Sequence, residues 1–248
     1  MIPVKTSSDL VKMRKAGKIT GDVLKYIEEF VKPGVTTLEL DAKIEEFILK
    51  AGAKPCFKGL YGFPASACIS IDEVVVHGIP SDRVLKEGEI VSIDVGARID
   101  GFNGDAARTF AVGQISAEKQ RLIDVTRQSF FEGMKHARAG RRLGDMCSAI
   151  QQHVEKNGYS IVRAMCGHGI GRAVHEDPNI PNYGKPNTGA MLKNGYCFAV
   201  EPMVNAGTFE VEIDRFDKWT CRTVDRKPSA HYENTIIITN GEPEIITL

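Results

Sequence analysis

The chain has 248 residues, 42% hydrophobic and 26% charged, an ordinary globular composition that can bury a core without disulfide or metal staples. Lys plus Arg number 32 and Asp plus Glu 32, so the formal net charge is zero; this argues against a dominant nucleic-acid footprint or a polybasic membrane anchor, though a local basic patch is compatible with it. No run of ~18 apolar residues predicts a membrane span, the N-terminus carries no apolar stretch ahead of a small-residue cleavage site, and six cysteines without a Cys-x-x-Cys pair read as reduced thiols of a cytoplasmic protein.

Ser7-Ser8-Asp9 predicts a helix start, and Leu10, Met13, Ala16, Thr20, Val23, Leu24, Ile27 and Val31 follow at helical spacing until Pro33-Gly34. Thr36-Thr37-Leu38-Glu39 is a capping box opening a second helix, with Leu40, Ile44, Phe47, Ile48 and Ala51 on its apolar stripe and Gly52 at its end. Strands are predicted at Ala67–Ile71, Val74–Val76 and 89–99. Asp100-Gly101 is a two-residue hairpin signal, which makes 102–112 the return strand. Ser116 caps a third helix carrying Leu122, Ile123, Val125, Phe130 and Met134 and ending at Gly140; a fourth runs over 143–157 and closes at Gly158. Strand-like segments follow at 159–165, 196–204 and 231–239. The order of two helices then strands occurs twice, with no Pro/Gly/Ser-rich linker between. The expectation is a single α+β domain over residues 1–248, built from two similar halves sharing a core.

Chemistry enters at the hairpin. Asp94 stands inside the apolar run Ile93-Asp94-Val95, and a buried carboxylate needs a partner or a metal. A two-residue turn at Asp100-Gly101 pairs Ile99 with Phe102 and Asp94 with Ala107. Asp105 then shares a face with Asp94 as its diagonal neighbour, ~7–8 Å away at the backbone, a separation from which both can reach metal ions ~3.5–4 Å apart. A solvated hairpin with surface aspartates explains those two residues equally well. In Cys166-Gly167-His168-Gly169-Ile170-Gly171-Arg172-Ala173-Val174-His175, two histidines lie in a glycine-rich, loop-like stretch where ligands can approach closely. No amphipathic helix follows, so this is not a dinucleotide-binding fingerprint. Glu201 sits in the apolar strand before Pro202, and Glu233 opens an Ile-rich strand.

Together Asp94, Asp105, His168, Glu201 and Glu233 supply four carboxylates and one imidazole, a donor set whose charge matches two divalent cations and suits Mn, Fe, Co or Zn. His77 and His175 are spare imidazoles for a substrate. His136 and His153 lie on predicted helices and read as structural; His231 is given no role.

These segments, with Val74 to Pro80, Gly101 to Asp105, Gly167 to Pro178, Val200 to Gly207 and Ser229 to Thr235, resemble the type I methionine aminopeptidases of the bacterial kind over nearly the whole chain. The resemblance implies a pita-bread fold, two pseudo-symmetric helix-helix-strand halves around a central antiparallel sheet. It implies two divalent ions, with Asp105 and Glu233 bridging, Asp94 on one ion, and His168 with Glu201 on the other. The implied reaction is removal of the initiator methionine from nascent chains when the next residue is small. Glu201 is the implied general base, His77 hydrogen-bonds the scissile amide and His175 the oxyanion. Cys56, Phe63, Cys68, Met203 and Trp219 are the implied methionine pocket. N-terminal peptides are the implied partners, with the ribosome a candidate docking site; no membrane or specific nucleic acid is expected, and a monomer is.

Three departures stand out. The stretch Cys56 to Phe63 is one residue longer than the common bacterial pattern, which leaves Leu60 and Tyr61 as alternatives for the pocket. Val174 occupies a position that is often aromatic. The N-terminus lacks a Cys/His-rich extension, and no helical insertion separates Glu201 from Glu233, which favours type I over type II. Rival readings are a proline-specific peptidase of the same fold, a catalytically silent interaction protein, and a mononuclear iron oxygenase, whose facial triad needs two histidines and one carboxylate. Because the second residue is Ile2, too large for a site restricted to small second residues, Met1 is expected to stay on the mature protein. Intact-mass spectrometry finding an Ile2 N-terminus would contradict this.

Overall fold

A computed structural model describes all 248 residues. Helix α1 spans Ser7–Glu28, and its cap is Thr6, one residue earlier than the serine cluster suggested: Thr6 and Asp9 form a reciprocal capping box. Helix α2, Thr37–Lys50, opens on the predicted Thr36/Glu39 box. Helix α3 covers Ala117–Met134 under the Ser116 cap, and helix α4 covers Leu143–Lys156. Helix α3 stops well before Gly140, because residues 135–140 turn back through hydrogen bonds from His136 and Ala137 to Gly133 and Met134.

The strands are antiparallel throughout. Ile90–Ile99 and Phe102–Ala111 form the long hairpin, with Ile99 opposite Phe102 and Asp94 opposite Ala107, the register the turn predicts. Asp100 and Gly101 both take positive φ, 51° and 82°, as a type I′ turn requires. Ala67–Ile71 and Lys54–Pro55 pair with the hairpin's first strand. A five-stranded sheet in the second half runs in the order Glu244–Ile245, Asn234–Ile237, Cys197–Val200, Gly167–Gly169, Glu176–Ile180. Two three-stranded sheets complete the framework, one of them containing Val74–Val76, Val211–Ile213 and Cys221–Thr223.

Three expected strands are shorter or broken. The 159–165 segment pairs only at Ser160–Ile161. The 196–204 segment divides into Cys197–Val200 and Met203–Asn205, because Pro202 has no N–H to continue the ladder. The 231–239 segment divides into Ser229–His231 and Asn234–Ile237. Both breaks fall beside a glutamate, Glu201 and Glu233.

Each half buries its own core. Val23, Leu24, Ile27, Ile44 and Ile48 pack on Val91, Ile93 and Val95 in the first. In the second, Phe130, Met134, Met146, Ile150 and Val154 pack on Phe198, Val200 and Ile236. Met13, Phe102, Ile170, Cys197, Ile237 and Ile246 form a smaller cluster linking the two. The halves also join through the main chain: Glu233 N donates to Ala107 O at 3.0 Å and Ala107 N to Glu233 O at 3.4 Å. No helix is long and apolar enough to cross a membrane.

Helix α1 lies directly on the hairpin. A Cβ at Gly104 would fall 2.8 Å from the Gly17 main-chain nitrogen and 2.9 Å from the Ala16 carbonyl carbon, so position 104 needs glycine for the hairpin to approach the helix backbone. Gly104→Val should therefore lift α1 from the hairpin and cost at least about 1–3 kcal/mol, read as a lower urea midpoint. An unchanged midpoint would show that the crossing relaxes freely.

Candidate metal centre and active site

Five short elements converge on one buried pocket. Asp94 projects from the first hairpin strand and Asp105 from the second, two positions along from Ala107, so they are diagonal neighbours on one face. Thr235 binds Asp105 through its hydroxyl: Asp105 N donates to Oγ1 at 2.9 Å and Oγ1 donates to Asp105 O at 2.8 Å. With the Ala107–Glu233 pair, this lays Glu233 beside Asp105. Glu201 stands in the break before Pro202, its carbonyl accepting from Asn182 Nδ2 at 3.0 Å.

His168 is in a strand, where the sequence suggested a loop. It lies in Gly167–Gly169, inside the five-stranded sheet and paired with Ala199. Glycine disguises the strand, because it has low strand propensity. The neighbours explain the glycines: a Cβ at Gly167 would meet Ala199 O at 2.4 Å, and one at Gly169 would meet Asp177 O at 2.0 Å. His168 Nδ1 lies 3.0 Å from Gly169 O. That bond fixes Nδ1 as the protonated nitrogen and leaves the Nε2 lone pair facing the carboxylates.

The cluster is tight. His168 Nε2 is 3.7 Å from Asp105 Oδ2 and 3.6 Å from Glu201 Oε1. One ligand atom each from Asp105, His168 and Glu233 lies within 4.8 Å of the others. Asp94 Oδ1, Asp105 Oδ1 and Glu233 Oε1 are buried without hydrogen-bond partners. The only ion pairs these carboxylates make are with histidines.

Burial and mutual repulsion make this set hard to ionise. Burial pushes Asp94 up to about 7. Burial, then the neighbouring carboxylates, raise Asp105, Glu201 and Glu233 well above the ordinary range. Burial lowers His168 to about 4, with His175 adding to the effect, so its imidazole is neutral and available as a ligand. Orphaned carboxylate oxygens and an aimed neutral imidazole fit divalent cations. Asp94, Asp105, His168, Glu201 and Glu233 are the side chains that could hold them.

Above the cluster opens a cavity of about 460 Å³. One end is apolar, walled by Phe57, Leu60, Phe63, Cys68, Val76 and Trp219. Trp219 meets Phe63 edge-on at 5.2 Å and His77 at 6.3 Å. His77 takes a positive φ of 60°, a strained conformation for a non-glycine residue that follows directly on the strand Val74–Val76. His175 stands edge-on to His168 at 4.4 Å and stacks on Tyr61 at 5.7 Å. Burial lowers both His77 and His175, so both are neutral at neutral pH.

Of the expected pocket residues, Phe63, Cys68 and Trp219 line the cavity, and Cys56 and Met203 do not. Cys56 is half-buried beside the Phe57 and Phe63 cluster with its sulfur over Gly96, and burial, then the nearby Asp105 and Asp94, push its thiol up. Met203 is fully buried among Val75, Val76, Val162 and Cys221. A sequence position gives no direction for the side chain, and after Pro202 the chain turns Met203 into the framework. Leu60 and Tyr61 both line the cavity, but only Leu60 joins the apolar cluster; Tyr61 is exposed and stacks on His175. Val174 packs against Phe57, Phe63, Ala65 and Cys68.

Phe57, Val76, Met165, Cys166 and Asn179 also line the cavity without having been assigned to it from the sequence; Phe57, Val76 and Cys166 lie in stretches the sequence singles out, and Met165 and Asn179 carry no signal of their own. It also gave no role to His231. That side chain is 1% exposed, with Nε2 unpartnered, 3.7 Å from Glu201 and 3.9 Å from Glu233.

A model of metallopeptidase family M24 matches residues 11–240. The chain is 54% identical to a methionine aminopeptidase of Clostridium perfringens, over all of this chain and 99% of that one. It superposes on the crystal structure of methionine aminopeptidase from Rickettsia prowazekii with a TM-score of 0.99 and 45% identity, covering 100% of both chains. A prolidase from Pyrococcus furiosus shares the fold alone, at a TM-score of 0.79 and 22% identity over 65% of its length.

The cluster's electrostatics predict opposite responses to alkali and to metal. Asp94 titrates at about 7, above its ordinary value of 3.8. A folded-state value raised in this way contributes stability at low pH that is lost as pH rises through about 7. Metal-stripped protein should therefore melt lower at pH 8 than at pH 6, and added Mn²⁺ or Co²⁺ should restore the loss. Asp94→Asn should flatten the pH dependence; a stripped protein whose melting point is level across this range would count against the cluster as described.

Proposed function

The chain belongs to metallopeptidase family M24, and on that premise we propose that it is a methionine aminopeptidase, hydrolysing the N-terminal methionine from nascent proteins when the next residue is small. The observation that carries this reading is the junction of an apolar pocket with a buried carboxylate–histidine cluster in one cavity. Its fold is the pita-bread fold. Nascent chains in the cytoplasm are its substrates, it works as a monomer, and the ribosome is where it meets them.

Asp94, Asp105, His168, Glu201 and Glu233 would hold two divalent ions, drawn from Co, Mn, Fe or Zn. Bound there, the ions would supply Lewis acidity and a bound water of lowered pKa. Glu201 accepts the proton of the attacking water on its carboxylate and returns it to the leaving amide nitrogen. His77, neutral and beside Trp219, accepts a hydrogen bond from the scissile amide N–H on its unprotonated ring nitrogen. His175 donates through its N–H to the oxygen that gains charge during attack. Phe57, Leu60, Phe63, Cys68, Val76 and Trp219 enclose the thioether side chain and exclude water from it, which favours methionine by burial of apolar surface.

Turnover of Met-Ala-Ser by metal-stripped protein, with divalent ions added back, tests the reading. Added metal should restore release of free methionine, and Glu201→Gln should cut kcat by about 10²–10⁴ while still taking up metal. Metal uptake without methionine release, together with cleavage of Ala-Pro, would replace this reading with a proline-specific peptidase.

A further inference from the structure

One buried charge pair joins Glu176, at the edge of the cavity, to Lys5, and neither residue belongs to the metal cluster or has a role in the proposed chemistry. Lys5 Nζ donates to Glu176 Oε2 at 2.6 Å, and the two side chains are only 6% and 13% exposed. A buried pair of this kind is held in place, since neither charge can be left without the other. Lys5 is fixed from its own main chain, with its N–H donating to Gly195 O at 2.9 Å.

Glu176 immediately follows His175. Its second oxygen, Oε1, accepts from Arg172 N at 2.7 Å and Ala173 N at 3.2 Å. Gly171 N donates to Ala173 O at 3.1 Å, and Gly169 pairs with Glu176. Residues 169–176 therefore form a closed turn, and Glu176 is the side chain that closes it. The turn starts one residue after His168 and delivers His175 edge-on to the His168 ring at 4.4 Å. It rests on the charge pair: a Cβ at Gly171 would lie 2.5 Å from Lys5 Cε and 2.7 Å from Glu176 Oε1.

We infer that Lys5 and Glu176 are positioning residues for His175. The N-terminal ammonium side chain clamps the Glu176 carboxylate, the carboxylate closes the turn, and the turn sets the imidazole at the cavity mouth. This rests on the reading of His175 as the donor to the developing oxyanion. Neither Lys5 nor Glu176 touches the reacting atoms; they act by fixing the direction of the His175 N–H.

A double-mutant cycle on the Mn²⁺-loaded enzyme tests the inference with Met-Ala-Ser. Lys5→Met should lower kcat about 10- to 100-fold, the scale of an ångström-level misplacement, with KM within about twofold. Lys5→Arg should recover most of the turnover, because a guanidinium keeps the charged donor. In a His175→Ala background, Lys5→Met should lower kcat little further, since the group it positions is already gone. Equal losses in both backgrounds, or unchanged kcat in a folded Lys5→Met protein, would overturn the coupling alone. Full turnover by His175→Ala would overturn the reading of His175 and the coupling with it. If Lys5→Met does not fold, Glu176→Gln carries the same cycle, since glutamine keeps an acceptor for the Arg172 and Ala173 amides and loses only the charge pair.

Discussion

Four carboxyl groups within reach of one another in a buried pocket repel, and nothing in the site makes sense until that repulsion is answered. Neither lysine nor arginine pairs with Asp94, Asp105, Glu201 or Glu233. The protein's own cations are spent elsewhere: Arg108 nearby binds the main chain of Glu233 and the Asn234 side chain. The pocket therefore calls for positive charge from outside the chain. A loose assembly of acids would spread apart, so the framework has to hold them by main-chain bonds. The Ala107–Glu233 exchange and the Thr235–Asp105 bridge do this, and the same bonds join the two halves. Fold and site thus share one set of contacts, and an alteration to the interface between the halves is an alteration to the ligand geometry.

Around that floor the cavity divides by polarity. At one end the walls are aromatic and aliphatic, with Cys68 and Trp219 the only side chains there that carry a polar hydrogen. Neutral imidazoles from His77, edge-on to Trp219, and His175, edge-on to His168, are presented by strained or tightly closed backbone. His77 reaches the site by a left-handed residue at a strand end. His175 reaches it on a turn closed by the carboxylate of the next residue. In both cases the stiffness of the scaffold, more than the identity of the histidine, decides where the N–H points, which is the condition for preorganised polar catalysis.

How much of this is legible in the sequence varies with the range of the interaction responsible. Local rules suffice for the helices, whose caps and apolar stripes are set within a few residues. They also suffice for the long hairpin, because the Asp100-Gly101 turn fixes the register that makes Asp94 and Asp105 neighbours. They fail at Gly167–Gly169, which reads as a loop because glycine hides a strand whose reason is the close approach of Ala199 and Asp177. They fail again at Met203, which stands at a suggestive position and is buried in the framework.

The sequence by itself determined the donor inventory, the two helix pairs, the hairpin register and the resemblance to one aminopeptidase family, because each rests on short-range pattern or on residue identity. Only the tertiary structure decided that Glu201 and Glu233 meet Asp105 and His168, and that His231 lies against two of those carboxylates. It alone decided which of Leu60 and Tyr61 packs in the apolar wall, and that Lys5 closes on Glu176 across 171 residues. These depend on strands brought together from distant parts of the chain, and on which side of each strand a side chain falls. That direction is fixed by packing between the halves and carries no signature in the linear order of residues.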